Sequence, residues 1–383
     1  FSGNGDRIGT VIVDTYEANP FKNLGMDNPN GSQRYYIGHV DWTGVNGLIE
    51  YTGSDKFSAV LQMGTSSQKY QWEGFYTAAP STLSRKITVD GGYIKGGANF
   101  RANDNSNFFF NVGQIMRPPS FDGVFPNADY DFEEADEILN ESFTSFELGY
   151  GFRSSNFKGT INAYHTVWGD RTLRRSTSID DQGVRIIYSG VEQTHQGIEG
   201  EMTWYPSSRL RINGMFSLGD WKYTKNFQGD AYFIDNNQPA GTTGTLYLDG
   251  VKIGDAAQTV LYLGFDYKLS SKLSVDLDMM SYDNLHGRFG PLDSEFNSAN
   301  NRGSIKLPSW GTADLGATYS FNLLGYDARA RLNVNNLFDE EYLSQSQTNF
   351  HNDGGRTWNG INVENNVYFG KGTTWNLGLN INF

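Results

Sequence analysis

Few residues in this 383-residue sequence could do chemistry at a catalytic or metal site, because it contains five histidines and no cysteine. A hydrolase of the Ser-His-Asp type needs a histidine beside a nucleophile, and no recognisable nucleophile motif is present. No two histidines are three to five residues apart, so the spacing typical of zinc ligands is missing. The histidines fall in a strand-like segment, near strand ends and in loops: His165, His39, His195, His286 and His351. The sequence therefore predicts no enzyme, no metal site and no cofactor.

Aromatic side chains are concentrated in the segments that we predict to be long loops. Flat apolar rings can stack on a sugar or on an aromatic chelate. Rings at a membrane surface instead form the interfacial girdles of membrane proteins, and both interpretations stay open for any one ring. The residues that we select as candidate substrate contacts are Trp72, Tyr76, Phe121, Trp221, Tyr223 and Trp358.

Charged side chains that could line a hydrated passage lie on strand-like segments in which apolar and polar residues alternate. Residues 326–334 alternate in this way, and successive side chains of a strand point to opposite faces. An arginine such as Arg331 would cost about 2–4 kcal/mol if it faced lipid at the bilayer midplane. The polar face must therefore meet water or protein. The predicted lumen-facing and plug-facing residues are Glu147, Asp276, Asp278, Arg329 and Arg331.

These residues belong to a unit that recurs along the chain: a long alternating segment, a short polar turn, a second alternating segment and a long loop. We predict 13 strands, the last near 371–383, and a weaker candidate near residues 6–13. The short turns contain residues that favour turns, mostly Ser and Asn. The long loops are predicted near 73–85, 118–141, 170–190, 225–255, 284–308 and 339–370.

Short and long connections alternate, which indicates the fold class. Soluble β-sandwiches mix connection lengths at both ends, whereas outer-membrane barrels have short periplasmic turns and long external loops. The sequence therefore predicts an all-β, antiparallel transmembrane β-barrel whose last residue, Phe383, lies at the periplasmic rim. Bacterial single-chain barrels have even strand numbers. Either residues 1–13 supply a fourteenth strand, or the chain is part of a larger barrel.

Composition excludes several other classes of protein. No run of about 18 apolar residues occurs, so helical membrane spans are not expected, and the mean hydropathy of -0.52 is compatible with strands that are apolar on one face only. The formal charge of -13 and the lack of a basic run argue against a nucleic-acid partner. The absence of cysteine excludes a disulfide framework.

The C-terminal segment has a pattern of its own, in which every odd residue from 375 onward is apolar and the last is aromatic. This pattern resembles the signal that the outer-membrane barrel assembly machinery recognises, so that machinery is a predicted partner. The residues that carry the resemblance are Trp375, Leu377, Leu379, Ile381 and Phe383.

A second resemblance is more specific. Asn333–Tyr342 reads N-V-N-N-L-F-D-E-E-Y and resembles the N-L-F-D-x-x-Y stretch of TonB-dependent receptors, where it closes the penultimate strand. Leu307–Trp310, Arg117–Phe121, Ser145–Tyr150 and Gln196–Glu201 are similar to further stretches of the same family. Together these matches extend over most of the chain from about residue 100 onward.

The resemblance implies a barrel of about 22 strands around a plug, and residues 1–383 would be a part of that barrel without a plug domain. It also implies active import of a scarce nutrient, such as a ferric chelate, a cobalamin or a glycan. External loops near 118–141, 225–255 and 339–370 would capture the substrate, and the TonB complex would act through an N-terminal part not recognisable here. Other implied partners are outer-membrane lipids and, because the loops resemble those of Bacteroidota receptors, a surface lipoprotein.

Two other functions remain open at this point. A complete small barrel would fit a passive porin-like channel, and a barrel with a stable partner would fit a structural or adhesion role in an outer-membrane complex. The substrate itself cannot be named, since specificity in the resembled family depends on loop shape and plug residues.

Overall fold

The computed structural model describes residues 7–8, 11–12, 36–74, 82–125, 134–135, 138–179, 182–233, 238–290 and 293–382. The chain forms two compact units. Unit 1 comprises Phe1–Leu48, Gln62–Ile94 and Ile115–Glu141. Unit 2 comprises Ile49–Leu61, Lys95–Gln114 and Ser142–Phe383.

Thirteen long strands form one antiparallel sheet in which sequence neighbours are also sheet neighbours. Their bounds are β1 Tyr36–Ser54, β2 Phe57–Gly74, β3 Ile87–Asn103, β4 Ser106–Arg117, β5 Glu141–Arg153, β6 Phe157–Ile179, β7 Gln182–Ser207, β8 Leu210–Tyr223, β9 Thr259–Lys268, β10 Leu273–Asp283, β11 Trp310–Leu323, β12 Tyr326–Asn335 and β13 Thr374–Asn382. The predicted all-β antiparallel class and the 13 long strands are thus confirmed.

Shorter elements occupy the connections. Phe227–Phe233 pairs with β7 and with Pro239–Leu246, and Thr82–Leu83 pairs with β2. The last long connection carries two small hairpins, formed by Leu343–Ser346 with Val367–Phe369 and by Thr357–Trp358 with Ile361–Asn362. The helical turns are Phe121–Val124 and Ser294–Asn297.

The structure corrects two predictions. Near residues 6–13 the described residues form two-residue strands, Arg7–Ile8 and Val11–Ile12, which pair with each other rather than supply a fourteenth long strand. Residues 170–190 are not a long loop, since β6 extends to Ile179 and β7 begins at Gln182. The added strand Phe227–Phe233 and a buried core hold this hairpin together.

Six short turns link β1–β2, β3–β4, β5–β6, β7–β8, β9–β10 and β11–β12. Each begins with a Ser or Asn whose side-chain oxygen accepts a backbone N–H two or three residues later, which is how these residues stabilise turns. The six are Ser54, Asn103, Ser154, Ser207, Ser270 and Asn322. In an antiparallel sheet with this strand order, all six turns lie at the same end of the strands.

Burial is inverted relative to a soluble protein. Leu148, in the middle of β5, is 61% exposed, whereas Phe296, in the connection between β10 and β11, is 0% exposed. Large apolar side chains are exposed along one face of most of the long strands, and many of the buried ones pack at the ends opposite the short turns. This distribution is expected of strands whose apolar face meets lipid.

Two buried clusters organise the connections of unit 2. The first joins the projecting part of β7 to the strands and the helical turn that follow: Val184, Ile186, Tyr188, Val191, Phe227, Ala231, Leu246, Leu248, Val251 and Phe296. The second joins the connection before β11 to the last connection: Leu285, Ile305, Leu307, Leu343 and Ile361. Both connections are therefore packed structures with cores of their own.

Asn336 fixes the start of the last connection. Its side-chain oxygen accepts from the Glu340 backbone N–H at 2.9 Å, and its Nδ2 donates to the backbone oxygens of Glu340 and Lys371. The Thr373 hydroxyl donates to the Asn336 backbone oxygen at 2.7 Å. Asn336 has a φ of 48°, a conformation that asparagine tolerates better than most residues. The N-N-L-F-D stretch thus ties both ends of this connection together.

Unit 1 has its own buried cluster, formed by Tyr70, Trp72, Ile87, Val124 and Phe125. Phe121 packs against the cluster, and its ring lies 5.0 Å from that of Phe125. The Tyr70 hydroxyl donates to the backbone oxygen of Pro119 at 2.8 Å. The short helix Phe121–Val124 is therefore anchored by aromatic packing.

Candidate functional site

The polar face of unit 2 carries an ion pair that crosses a strand. Arg331 on β12 donates from Nη1 and Nη2 to the two carboxylate oxygens of Asp276 on β10, both at 2.9 Å. Gly316 on β11 lies between them, and a Cβ there would be 2.1 Å from Asp276 Oδ2. The glycine leaves the space that this bidentate pair occupies.

The other predicted polar-face residues lie on the same kind of face, and two of them accept hydrogen bonds of their own. Glu147 accepts hydrogen bonds from the side-chain amides of Asn111 and Asn162, both at 2.9 Å. Asp278 accepts from the Tyr262 hydroxyl at 2.6 Å. Arg329 is exposed on β12, two residues from Arg331 and therefore on the same face. All five predicted residues thus lie on polar faces of strands in unit 2.

An aromatic and cationic cluster lies on β6, β7 and β8, level with the ends of β5 and β8 that are opposite the short turns, whereas β6 and β7 continue beyond it. Trp221 Nε1 donates to the Tyr164 hydroxyl at 2.8 Å, and the His195 ring lies 5.5 Å from the Trp221 ring. The Arg171 guanidinium is 3.8 Å from the centroid of the Trp168 ring, a cation–π arrangement. We call these five residues the vestibule cluster.

Strand register explains how the vestibule cluster forms. His195 is opposite Thr166 on β6 and Trp221 on β8, so the three share one face of the sheet. One rung towards the short turns, Gly197 is opposite Tyr164, and a Cβ on this glycine would be 2.8 Å from the Tyr164 hydroxyl. The missing side chain lets that hydroxyl reach Trp221 across β7.

An irregularity in the strand pairing brings Arg171 to the vestibule cluster. The β6–β7 register shifts on both sides of the Val191–Arg171 pair, and Asp170 has a φ of 57°. Bulges of this kind re-aim side chains and are common beside functional sites. Within the described part of the chain, the buried Arg171 Nε has no hydrogen-bond partner.

Of the predicted substrate contacts, the structure brings two together. Trp221 belongs to the vestibule cluster, and Tyr223 follows two residues later on β8 with its ring 5.8 Å from that of Phe289. Trp358 packs against the second buried cluster of unit 2 and lies edge-on to Phe369 at 5.2 Å.

The remaining predicted contacts lie elsewhere. Trp72 is 1% exposed in the buried cluster of unit 1, where Phe121 also packs, so we leave both out of the proposed site. Tyr76 lies outside the described residues. The sequence signal for Tyr164, Trp168 and His195 was their same-face spacing on two neighbouring strands. Arg171 had no such signal, because the bulge breaks the alternation.

A second group of aromatic rings lies at the ends of β10 and β11 that are opposite the short turns. Trp310 stacks between Tyr282, at 4.1 Å, and Tyr342, at 3.8 Å. Tyr282 is opposite Trp310 in the register, and Tyr342 comes from the N-L-F-D-x-x-Y stretch. The stretch thereby packs its aromatic residue against the sheet.

Charged groups clamp the connection between β10 and β11. Arg302 donates to the carboxylate of Glu295 at 2.8 Å and to that of Asp353 at 2.6 Å. The Arg302 guanidinium holds the pKa of the Glu295 carboxyl below its usual value. The clamp joins the connection between β10 and β11 to the connection between β12 and β13. Arg302 and Asp353 are 51 residues apart in the chain.

The described residues of the predicted barrel-assembly signal lie on β13. The side chains of Trp375, Leu377 and Leu379 are 72%, 67% and 61% exposed, and Ile381 is half-buried. Phe383 lies outside the described residues. Among the described residues no group of acidic, His or Cys side chains could hold a metal ion. No described helix is long and apolar enough to cross a membrane.

Comparison with known proteins identifies the family of this chain. The model of the family described as TonB dependent receptor-like, beta-barrel, matches residues 5–337. The chain belongs to the TonB-dependent receptor β-barrel family. This family indicates the outer membrane, and the exposed apolar faces of the long strands agree with that location. The sequence has no match among curated proteins.

Solved structures of receptors have a similar fold. The siderophore receptor PiuA from Acinetobacter baumannii aligns with a TM-score of 0.63 and 15% identity over 90% of this chain and 43% of its own. The ferric yersiniabactin uptake receptor FyuA from Yersinia pestis aligns at 0.59 and 12%, over 91% and 46%. The ferric-catecholate import receptor Fiu from E. coli aligns at 0.58 and 15%, over 91% and 45%. This chain spans less than half of each receptor.

Proposed function

We propose that the protein is a receptor for TonB-dependent import of a ferric chelate across the outer membrane. The observation that carries the proposal is the family match over residues 5–337. The neighbours PiuA, FyuA and Fiu, whose names give siderophores or ferric chelates as their ligands, favour a ferric chelate over a cobalamin or a glycan. Energy would come from TonB, which the family uses as its partner.

The vestibule cluster is the proposed capture site. Ferric chelates are often anionic and aromatic, and they would need both a cation and flat apolar faces. Arg171 supplies the cation, and Trp168 and Trp221 supply the faces. The cluster lies level with the end of β8, near which the long connections fold, and we propose that this side of the sheet is the external one.

The same orientation places the six short turns and the C-terminus of β13 at the periplasmic rim. The polar face with Asp276, Arg331 and Glu147 would then line the lumen, where a plug could pack. Side chains that already bind one another within the barrel suit such a surface, because a buried charge without a partner is costly. These charges have partners whether or not a plug residue contacts them.

Binding of a panel of ferric chelates to the purified receptor tests this proposal, with tryptophan fluorescence as the readout. We expect at least one aromatic ferric chelate to bind, and Arg171→Gln to weaken its binding by about tenfold. Arg209→Gln, in the turn between β7 and β8, is the matched control. Failure of every chelate to bind would contradict the proposal, and equal binding by the Arg171 variant would contradict the site.

A further inference from the structure

A buried glutamine lies where β8 exchanges one neighbouring segment for another. Up to Leu218, β8 pairs with β9, and the Gly219 N–H donates to the backbone oxygen of Gln258 at 2.6 Å. From Trp221 onward, β8 pairs instead with residues 250–253 of the connection between β8 and β9. Gln258 is only 1% exposed. Its side chain therefore lies inside the junction of β8, β9 and this connection.

The side-chain amide of Gln258 replaces one backbone contact of an antiparallel ladder. Lys222 and Lys252 face each other in this pairing. The Ile253 N–H donates to the Trp221 oxygen at 3.1 Å, and regular pairing would return a bond from the Trp221 N–H to the Ile253 oxygen. Instead, the Trp221 N–H donates to Gln258 Oε1 at 2.9 Å. Gln258 Nε2 donates to the backbone oxygens of Trp221, at 3.0 Å, and Ile253, at 3.3 Å.

The Trp221 side chain is fixed as well as its backbone. A Cβ on Gly219 would be 2.8 Å from Trp221 Nε1, so the indole ring folds back over this glycine. The indole N–H then donates to the Tyr164 hydroxyl at 2.8 Å. Gln258 thus sets the place of the Trp221 backbone, while Gly219 and Tyr164 set the direction of its ring.

Loss of the inserted amide would change this arrangement. Without it, the Trp221 N–H and the Ile253 oxygen would lose the contacts that they make through Gln258. Backbone groups that are shielded from water rarely stay unpaired. The two segments would therefore close directly on each other, as in a regular ladder, or separate to admit water. Either change moves the backbone of Trp221.

We propose that Gln258 is a positioning residue of the capture site and that, through it, residues 250–258 control the placement of the Trp221 ring. This inference rests on the proposed function, because Trp221 supplies one of the flat faces for the chelate. Gln258 is buried and acts on the ligand only through Trp221. Chelate binding would then depend on the packing of a segment outside the vestibule cluster.

The test is fluorine NMR of the purified receptor labelled with fluorotryptophan, recorded without ligand and followed by chelate titration. The Trp221 signal is identified by its loss in Trp221→Phe. Gln258→Met keeps the length of the side chain but lacks the amide. We expect it to shift the Trp221 signal and to weaken chelate binding by about tenfold.

Asn301→Leu is the matched control. The Asn301 amide also bridges backbone groups of two segments, since it accepts from the Gly303 N–H at 3.0 Å and donates to the Tyr247 oxygen at 2.9 Å. This variant should leave both the Trp221 signal and chelate binding unchanged.

A second variant, Gln258→Glu, tests the hydrogen bonds with little change of shape. A protonated carboxyl keeps a donor and an acceptor, as the amide does, whereas an ionised carboxylate only accepts and would face the Trp221 and Ile253 oxygens. We expect a Trp221 signal near the wild-type position in acid and a displaced signal as the pH rises and the carboxyl ionises. The wild type at each pH is the reference, because the charged residues Asp220 and Lys252 are close by.

The ligand-free signals separate this inference from the proposed function, because they are read even where no chelate binds, a result that would count against the proposed function alone. An unmoved Trp221 signal in Gln258→Met, or an equal shift in Asn301→Leu, would overturn the inference. So would a Gln258→Glu signal that follows the wild type at every pH, or a shifted signal in Gln258→Met with unchanged chelate binding.

Discussion

Arg331 reaches Asp276 across an intervening strand, with two hydrogen bonds of 2.9 Å over Gly316. The pair joins β10 and β12, which are not neighbours in the sheet. Thr318, opposite Arg331 on β11, also accepts from its Nη1 at 3.1 Å. The charges on this polar face are therefore paired with each other and still lie on the surface of the sheet.

Replacement of Gly316 should disrupt this pair. Gly316→Ala puts a Cβ 2.1 Å from Asp276 Oδ2, so the pair must separate or the strand must shift. Strain of this kind costs about 1–3 kcal/mol, measured as the free energy of unfolding in urea. Gly378→Ala on β13 is the control, since its nearest neighbour would be 4.0 Å away. Equal stability of the two variants would contradict the role of Gly316.

Tyr164 should position the Trp221 ring. Tyr164→Phe removes the oxygen that accepts from Trp221 Nε1, and a donor left without a partner costs about 1–3 kcal/mol. We expect weaker chelate binding and a shifted tryptophan emission. Tyr150→Phe is the matched control, because the Tyr150 hydroxyl contacts Ser106 far from the vestibule cluster. Unchanged binding in Tyr164→Phe would show that this hydrogen bond has no part in capture.

Asn336 should hold the last connection closed. Asn336→Ala loses three side-chain hydrogen bonds and puts alanine at a positive φ, which together should cost about 2 kcal/mol or more. Limited proteolysis should then cut residues 343–369 faster. Asn359→Ala separates the two causes, because Asn359 has a similar φ of 46° in a small hairpin. If both variants are cut at the same rate, the backbone alone explains the effect.

The charged clamp around Arg302 should open in acid. The pKa of Glu295 is lowered in the folded protein, so its contribution is fully present above the ordinary glutamate pKa of about 4.3 and is lost as pH falls through the lower folded value. The hydrogen-exchange protection of residues 293–303, which is the rate corrected for its intrinsic pH dependence, should therefore decrease below about pH 4. Arg302→Gln should show fast exchange already at neutral pH. Equal acid sensitivity in both proteins would exclude the clamp.

Much of the fold could be predicted from alternation and turn residues. Strands such as β10, β12 and β13 have one apolar and one polar face, and the Ser or Asn that begins each short turn was visible as a turn signal. The hairpin of β6 and β7 could not be predicted beyond residue 170. This hairpin is stabilised by pairing with Phe227–Phe233 and by a core assembled from distant segments. The local sequence pattern carries no information about such distant contacts.

The candidate site was only partly predictable. Trp221 and Tyr223 were selected as loop aromatics and lie together at the end of β8 opposite its short turn. Trp72 was selected by the same criterion and is buried, because a single sequence does not distinguish a stacking face from a core ring. Arg171 depends on a bulge, and its contact with Trp168 becomes visible only when β6 and β7 are paired.

Uptake is the most direct test of the central claim. Cells that express this receptor as their only route for a bound ferric chelate would be given that chelate with radiolabelled iron, with TonB either present or deleted. We predict that iron accumulates in cells with TonB and that deletion of TonB abolishes accumulation. Equal accumulation in both strains would show a passive channel and contradict energy-coupled import.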